Sequence, residues 1–447
     1  MPTVPLAIDS YARASAFQPE TVCRNMYVEE DKSGASPDRL MRIDRPGLSN
    51  WAELTFAIRG LFWQDGVLGG GTYAVAGSRF YSVSPGGSTD LGGVGNGYRA
   101  RFAANYEKLF ILSETVAFQY DGLTMDGTEM PDTRDVADIA VLNSFLILAC
   151  PDGRFYWLEP GATDVDELNF ATVESAPDGL VAVRTLGDEL WFFGKTTIEV
   201  WQPTGDDELP FIRAGGRTVS RGCMARDAVE PFDNSLLWVG NDGVVYRAGN
   251  VPQRISNHGI EQRIRDRSDT PSAMTVETDG HKFYVLRIPG QGSFAYDAAT
   301  QRWSHWSTYG QDDWRPHVAT AVEDYIVVGD ADTGKIWLLD PDATTDAGTM
   351  IERKITGTIP LMGAVGRNDS LSIGAGGSAD YQLRVRWKDG QEDFPEDYEQ
   401  LEVRAPADVV SIHRLGAPEQ PFRVFELSII DAVKARISGA KVNEAWR

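Results

Sequence analysis

The chain is poor in the residues that build most catalytic and metal centres: three cysteines and five histidines in 447 residues. Cys23, Cys150 and Cys223 lie far apart and form no CxxC pair, so neither a zinc ribbon nor a disulfide framework is signalled. Buried free thiols in a reducing compartment are the expectation. His258, His281, His305, His317 and His413 show neither HxH nor HExxH spacing, and no GxSxG elbow accompanies them. Long apolar runs are also missing. DIAVLNSFLILAC, from Asp138 to Cys150, is broken by Asn143 and Ser144 and is too short to cross a bilayer. The opening MPTVPLAIDSYARASAF lacks a basic stretch leading into an apolar one, which argues against a signal peptide. These features predict a soluble protein made in a cytoplasm. Basic charge is scarce too: 42 Lys and Arg face 65 Asp and Glu, a net charge of −23. That sign argues against a protein that coats DNA or an anionic membrane.

What the chain does have is glycine and aromatics. Its 45 glycines exceed the usual share of about 7%, and with 42% hydrophobic residues there is ample material for a packed core. A two-strand unit recurs about seven times: an apolar run, a Gly- or Asp-containing turn, and a second run with an aromatic near its end. It reads TYAVAGSRFYSV from Thr72, SFLILACPDGRFYWLEPG from Ser144, DELWFFGKTTIEVWQPTG from Asp188 and SLLWVGNDGVVYRAGN from Ser235. The second-run aromatics Tyr81, Tyr120, Trp157, Trp201, Tyr246, Tyr296 and Trp337 are 39, 37, 44, 45, 50 and 41 residues apart. Four short strands need about 40 to 50 residues, the period of propeller blades, and the β-branched and aromatic runs argue against helix pairs. The fold class predicted is all-β, a six- or seven-bladed β-propeller over 49–345. The first run of each unit is expected to line the channel and the aromatic run to pack between blades.

After Asp340 the pattern changes. Tyr381, Leu383, Val385 and Trp387 alternate with polar residues up to the Lys388-Asp389-Gly390 turn, and FRVFELSIIDAVKARISGAKV from Phe422 supplies two more strands. Residues 346–447 are therefore expected to form a β-sandwich-like domain, completed in part by the non-propeller segment 1–48.

The remaining motifs are weak. GVLGGGTYAVAG near Val67 lacks the GK[ST] ending of a phosphate loop and opens into a strand, so a hairpin turn is favoured. Asp330, Asp332 and Gly334 in GDADTGK are similar to part of a calcium loop but lack the distal bidentate Glu, which favours a blade turn and leaves ion binding by Asp330 and Asp332 open. Glycosidase chemistry needs two positioned carboxylates, and 65 acidic residues single out no pair. RISNHGIEQRIRDR, Arg254 to Arg267, has helical spacing; a solvated helix between blades is the plain reading, an acidic partner or a DNA backbone the sharper one. No catalytic, cofactor-binding or metal residue is assigned, and no enzyme activity is expected.

Several blocks resemble one family. They are Asn25-Met26-Tyr27, Arg45-Pro46-Gly47-Leu48, Arg59-Gly60 and ESAPDGLVAVRTLGDELWFFGKTTIEVWQPTGD from Glu174. RGCMARDAVEPFDNSLLWVGNDGVVYRAGN, PQRIS, GIEQRI and YDAATQRWSHW follow in the same order, and LRVRWKDGQEDF and HRLGAPEQPFRVFELSIIDAVKARISGA close the chain. Together they are similar to the packaged DNA stabilisation, or tail hub (nozzle), proteins of short-tailed bacteriophages, the podoviruses. The family's Asp-Gly-Gly-x-x-Trp turn is reduced here to Asp389-Gly390-Gln391 with Phe394. The resemblance implies a structural protein of the virion tail, made in the host bacterial cytoplasm. It would form a ring, expected to be hexameric, below the portal and adaptor, extending the DNA channel and stabilising packaged DNA. Its implied partners are portal and adaptor proteins, a tail needle or plug, and tailspikes or fibres; genomic DNA would pass without sequence-specific binding, and no membrane insertion or cofactor is implied. An acidic lining would suit such a conduit, since it repels phosphate. The alternative is a propeller that binds or hydrolyses host-surface glycans.

Overall fold

The computed structural model describes residues 3–11, 19–31, 40–173, 176–206, 208–360, 369–417 and 422–443. Part of the opening stretch, together with Glu174, Ser175 and residues 418–421 of the family-like blocks, lies outside them. Seven four-stranded antiparallel units follow one another around a ring. Their innermost strands are, in order from blade 1 to blade 7, Ile58–Phe62, Arg101–Ala104, Asp138–Leu142, Leu180–Leu186, Glu230–Phe232, Ser272–Thr278 and Pro316–Val322. Each neighbours the next, and the seventh returns to the first. The fold is thus a closed, seven-bladed propeller.

The ring is closed by the start of the chain. Gly47–Glu53 pairs antiparallel with Lys335–Asp340 and supplies the outer strand of blade 7, whose other three strands come from residues 316–340. Gly47 is required by a close approach: a Cβ there would lie 2.5 Å from the Thr345 carbonyl oxygen and 2.6 Å from that of Ala343. Seven hydrophobic clusters fill the seven interfaces between blades. The regularly spaced aromatics sit in them: between blades 3 and 4, Phe155 stacks on Phe192 at 4.4 Å with Trp201 edge-on at 5.0 Å, geometry that contributes about 0.5–1.5 kcal/mol per pair beyond burial. The turns at Pro151-Asp152-Gly153 and Asn241-Asp242-Gly243 are tight as expected, with Gly153 and Gly243 at φ +94° and +79°.

One expectation about the blades is corrected. The recurrent first run of each unit is the second strand of its blade and the aromatic run is the third; the channel is lined by the strand that precedes both. Second and third strands are buried on both faces by adjacent blades and therefore read as strong apolar runs. The first strand faces the axis with polar side chains, as in IRGLF, RFAA and EPF, and breaks that pattern.

Residues at both ends of the chain share two further sheets. Met26–Glu30 and Leu40–Asp44 join Ala435–Val442, Ser370–Gly377 and Ala407–His413 in one. Arg353–Pro360, Phe422–Ile429, Tyr381–Asp389 and Glu399–Val403 form the other. A single apolar cluster, from Val4, Cys23 and Met26 to Leu383, Phe425 and Ile437, fills the space between them. Tyr381, Leu383 and Val385 point into it as their alternation predicts. The second sheet is continuous with blade 6, because Cys23–Arg24 pairs with both Arg353–Pro360 and the outer strand Trp303–Trp306. At the same seam Asp9 accepts hydrogen bonds from the Trp303 amide at 2.9 Å and Asn257 Nδ2 at 3.0 Å.

Burial outweighs those two bonds and raises the Asp9 carboxyl to about 6. A folded value above the unfolded one means that the folded state binds the extra proton. Stability at this seam should therefore fall by on the order of 3 kcal/mol as pH rises from about 4 to 6, and stay flat above that. Urea melts of the wild type and Asp9→Asn between pH 4 and 7 check this, the variant losing the slope. All three cysteines are free and buried, and burial pushes each thiol up to about 12, which makes them poor nucleophiles. No helix among the described residues is long and apolar enough to cross a membrane.

Candidate functional site: the propeller axis and its mouth

Propellers place their chemistry around the central channel, and here the channel is sealed by charged side chains. Arg101 bridges Asp227 at 3.1 Å and Glu230 at 2.8 Å and donates to the Arg226 carbonyl at 3.0 Å. Arg99 adds a pair to Glu230 at 3.4 Å, and Arg226 one to Asp227 at 3.0 Å. Arg184 pairs with Asp138, which is fully buried. Arg59 reaches in from blade 1 to the carbonyls of Gly77, Gly95 and Tyr98 and to Ser113 Oγ. Four guanidinium groups thus meet three carboxylates across blades 2 to 5 and the segments between them, and a fifth, Arg59, comes in from blade 1.

Electrostatics follow from this crowding. Burial opposes the charge on Asp227, yet the guanidiniums of Arg101, Arg226 and Arg99 hold its carboxyl below the usual carboxylate range. Arg99 is pushed down to about 10 by burial and by the like charge of Arg101. The acidic lining expected of a DNA conduit is therefore not a property of the propeller's own axis, which is filled with arginine.

One end of the axis opens into a cleft of about 550 Å³ lined by Tyr98, Arg99, Glu114, Arg226, Asp227 and His317, among others. His317 lies at the edge, its Nε2 2.5 Å from the Ile58 carbonyl oxygen, and burial pushes it down to about 4, so it is neutral at pH 7. The other histidines are scattered. His305 stacks on Phe294 at 4.8 Å and is pushed down to about 3 by burial and by Arg24. His281 pairs with Asp297 at 2.9 Å at the blade 6 hairpin. His258 is exposed at the start of the helix His258–Arg265, and His413 ends a sandwich strand. Among the described residues no group of three or more His, Cys, Asp or Glu is placed to hold a metal ion.

Other sequence candidates resolve into structure. The glycine-rich stretch near Val67 is the connection between the first two strands of blade 1, with Trp63 Nε1 donating to the Gly70 carbonyl at 3.0 Å. Asp389 is clamped by Arg423 through two contacts of 2.7 Å. Asp330 is buried and taken by Arg315 and Thr333, with the Asp332 amide donating to its Oδ1 at 3.0 Å. A guanidinium thus occupies the position a cation would take, so calcium or EDTA is expected to leave the melting temperature unchanged in a thermal scan. The axial arginines escaped sequence reading because they are spread from residue 59 to residue 226; only their chain-distant convergence marks them.

These features define a closed seven-bladed propeller whose start is woven into its last blade and whose axis is sealed. The family model described as bacteriophage P22 Gp10, β-propeller, matches residues 4–344, and the chain belongs to that family. The match spans the N-terminal segment and all seven blades. The tail hub protein gp10 of Salmonella phage P22 is 22% identical over 283 residues, 58% of this chain and 58% of that protein. The alignment thus covers less than two thirds of the relative's length. Among solved structures, the WD40 β-propeller domain of Doa1 covers 66% of this chain and 96% of its own at 11% identity and a TM-score of 0.43. The computationally designed Ika8 protein covers 65% and 99% at 12% identity and a TM-score of 0.38.

Proposed function

We propose that this chain is a non-enzymatic tail hub protein of a short-tailed phage. It assembles as a ring below the portal and adaptor, extends the DNA channel, stabilises packaged DNA and carries attached tail parts. The observation that carries this reading is the family match from residue 4 to 344, which takes in the closing strand and every blade as one unit. The sealed axis supports it in a specific way. DNA cannot pass through a propeller filled with guanidiniums, so the conduit would lie between copies, with the chain's net charge of −23 keeping phosphate from sticking. In this reading residues 1–48 and 346–447 act together as a second module, fastened to blade 6 and free to meet neighbouring tail proteins.

The test is genetic and structural. Phage assembled without this chain should package DNA and then lose it, and images of complete particles should show the chain as a ring in the tail. Particles that keep their DNA and infectivity without it would overturn the proposal. Turnover of host polysaccharide abolished by neutralising Glu114 and Asp227 at the channel mouth would favour a glycan-cleaving propeller instead.

A further inference from the structure

The acidic surplus is not evenly spread. Residues 101–219, which make blades 2, 3 and 4, hold 21 Asp and Glu against eight Lys and Arg. On these three blades the loop from third to fourth strand does the same thing. It reads DGLT at 121–124, EPGATDVDELN at 159–169 and TGDDELP at 204–210, with no lysine or arginine in any of them. In each, an aspartate accepts backbone amides and holds up a leucine two or three residues later. Asp121 takes the amide of Leu123 at 2.8 Å, Asp166 that of Leu168 at 2.8 Å, and Asp206 that of Leu209 at 3.0 Å. The leucines are 90%, 76% and 48% exposed. Equivalent loops of successive blades lie side by side on one rim of a propeller, so this rim is acidic and studded with aliphatic side chains. A wall that only repels DNA would need no exposed leucines. Apolar groups within a charged surround are the anatomy of a protein interface.

The same chain carries a complementary flank. On the connection from the last strand of blade 5, Gln253–Arg254, to blade 6 lies the helix His258–Arg265, the only α-helix among the described residues, where Arg254 and Arg263 are already paired with Glu261 and Glu20. Arg265 hydrogen-bonds Gln262, and Arg267 the Ile264 carbonyl, rather than a carboxylate. This is the arginine-rich run that the sequence singles out, and the axis makes no use of it.

We propose that a second copy of this chain docks its His258–Arg267 flank onto the leucine-studded acidic rim of blades 2–4, giving a head-to-tail contact between unlike surfaces. The inference rests on the ring assembly proposed above and assigns its interface. A contact of this heterologous kind is what a closed ring of identical subunits needs. Because the two surfaces differ in charge, the contact should weaken as salt is raised.

The experiment is sedimentation of the full chain at high concentration, with chemical cross-linking, for three forms. One is the wild type; the second is Asp164→Lys with Glu167→Lys and Glu208→Lys, none of which anchors a turn; the third is Arg265→Glu with Arg267→Glu. Thermal melts confirm that each is folded. The wild type should assemble, each variant alone should self-associate at least tenfold more weakly, and mixing the two variants should restore assembly. If all three forms assemble equally, this interface is wrong while the ring reading stands. The direct pairing is also wrong if both variants lose assembly and the mixture does not recover it. A wild type that never assembles or cross-links overturns the ring reading and this interface together.

Discussion

Arg45→Ala is expected to destabilise the protein by about 3–5 kcal/mol, the range for removing one partner of a buried ion pair. The Arg45 side chain is fully buried and its partner Asp346 nearly so, the two meeting at 2.6 and 2.9 Å. The same guanidinium donates to Asn25 Oδ1 at 2.9 Å, to the Pro46 carbonyl at 2.8 Å and to the Ser307 carbonyl at 3.0 Å. Five acceptor contacts thus tie together the N-terminal segment, the exit from blade 6 and the start of the C-terminal region, and the closing strand begins two residues later at Gly47. Removing the guanidinium leaves the Asp346 carboxylate without its cation in an apolar site, which is why the loss should exceed that of an ordinary hydrogen bond. Asp346→Ala should cost about as much as Arg45→Ala. The double variant should cost well under the sum, because once one charge is gone the other has nothing to lose. Chemical denaturation of the four proteins measures the cycle. A cost below about 1 kcal/mol for Arg45→Ala would mean that water reaches the pair.

Residues that mark the family in the sequence are, in the structure, the ones that hold chain-distant pieces together. Asn25 stands at φ +53° and bonds Ser307 and the Glu352 carbonyl. Arg59 fastens blade 1 to blade 2. Asp178 accepts from the amides and hydroxyls of Thr196 and Thr197 and locks the blade 4 hairpin. The motifs were legible because each needs a particular side chain, and the blade period was legible because strands buried on both faces must be apolar. Three things were not. The count of seven blades rather than six depends on recognising Gly47–Glu53 as an outer strand, and its partner Lys335–Asp340 lies nearly 300 residues away, where no local pattern can point. The channel strands carry short, mixed sequences because they answer to the axis rather than to a core. The sealing network draws its charges from four blades and from the segments between them, so spacing along the chain says nothing about it.

Arg101→Ala should be the most damaging change at that network, with a cost of about 3–5 kcal/mol for uncovering buried carboxylates. Arg101 is the hub because its three nitrogens serve three different acceptors, Asp227, Glu230 and the Arg226 carbonyl. Burial works against its charge, yet Glu230 and Asp227 outweigh that and raise its pKa. Arg101→Lys is expected to restore little, since one ammonium cannot span three acceptors in a fixed fork. The effect should also carry a pH signature. The Asp227 carboxyl titrates below its unfolded value, so its contribution is present above about pH 4 and is lost as pH falls through the lower, folded value. In Arg101→Ala that carboxyl loses its strongest cation, so the variant should show less acid sensitivity as well as lower stability. Equilibrium unfolding of the wild type, Arg101→Ala and Arg101→Lys at pH 7 and pH 3 separates the outcomes. If Arg101→Ala matches the wild type at both, the axis is solvated and the guanidinium network does not seal it.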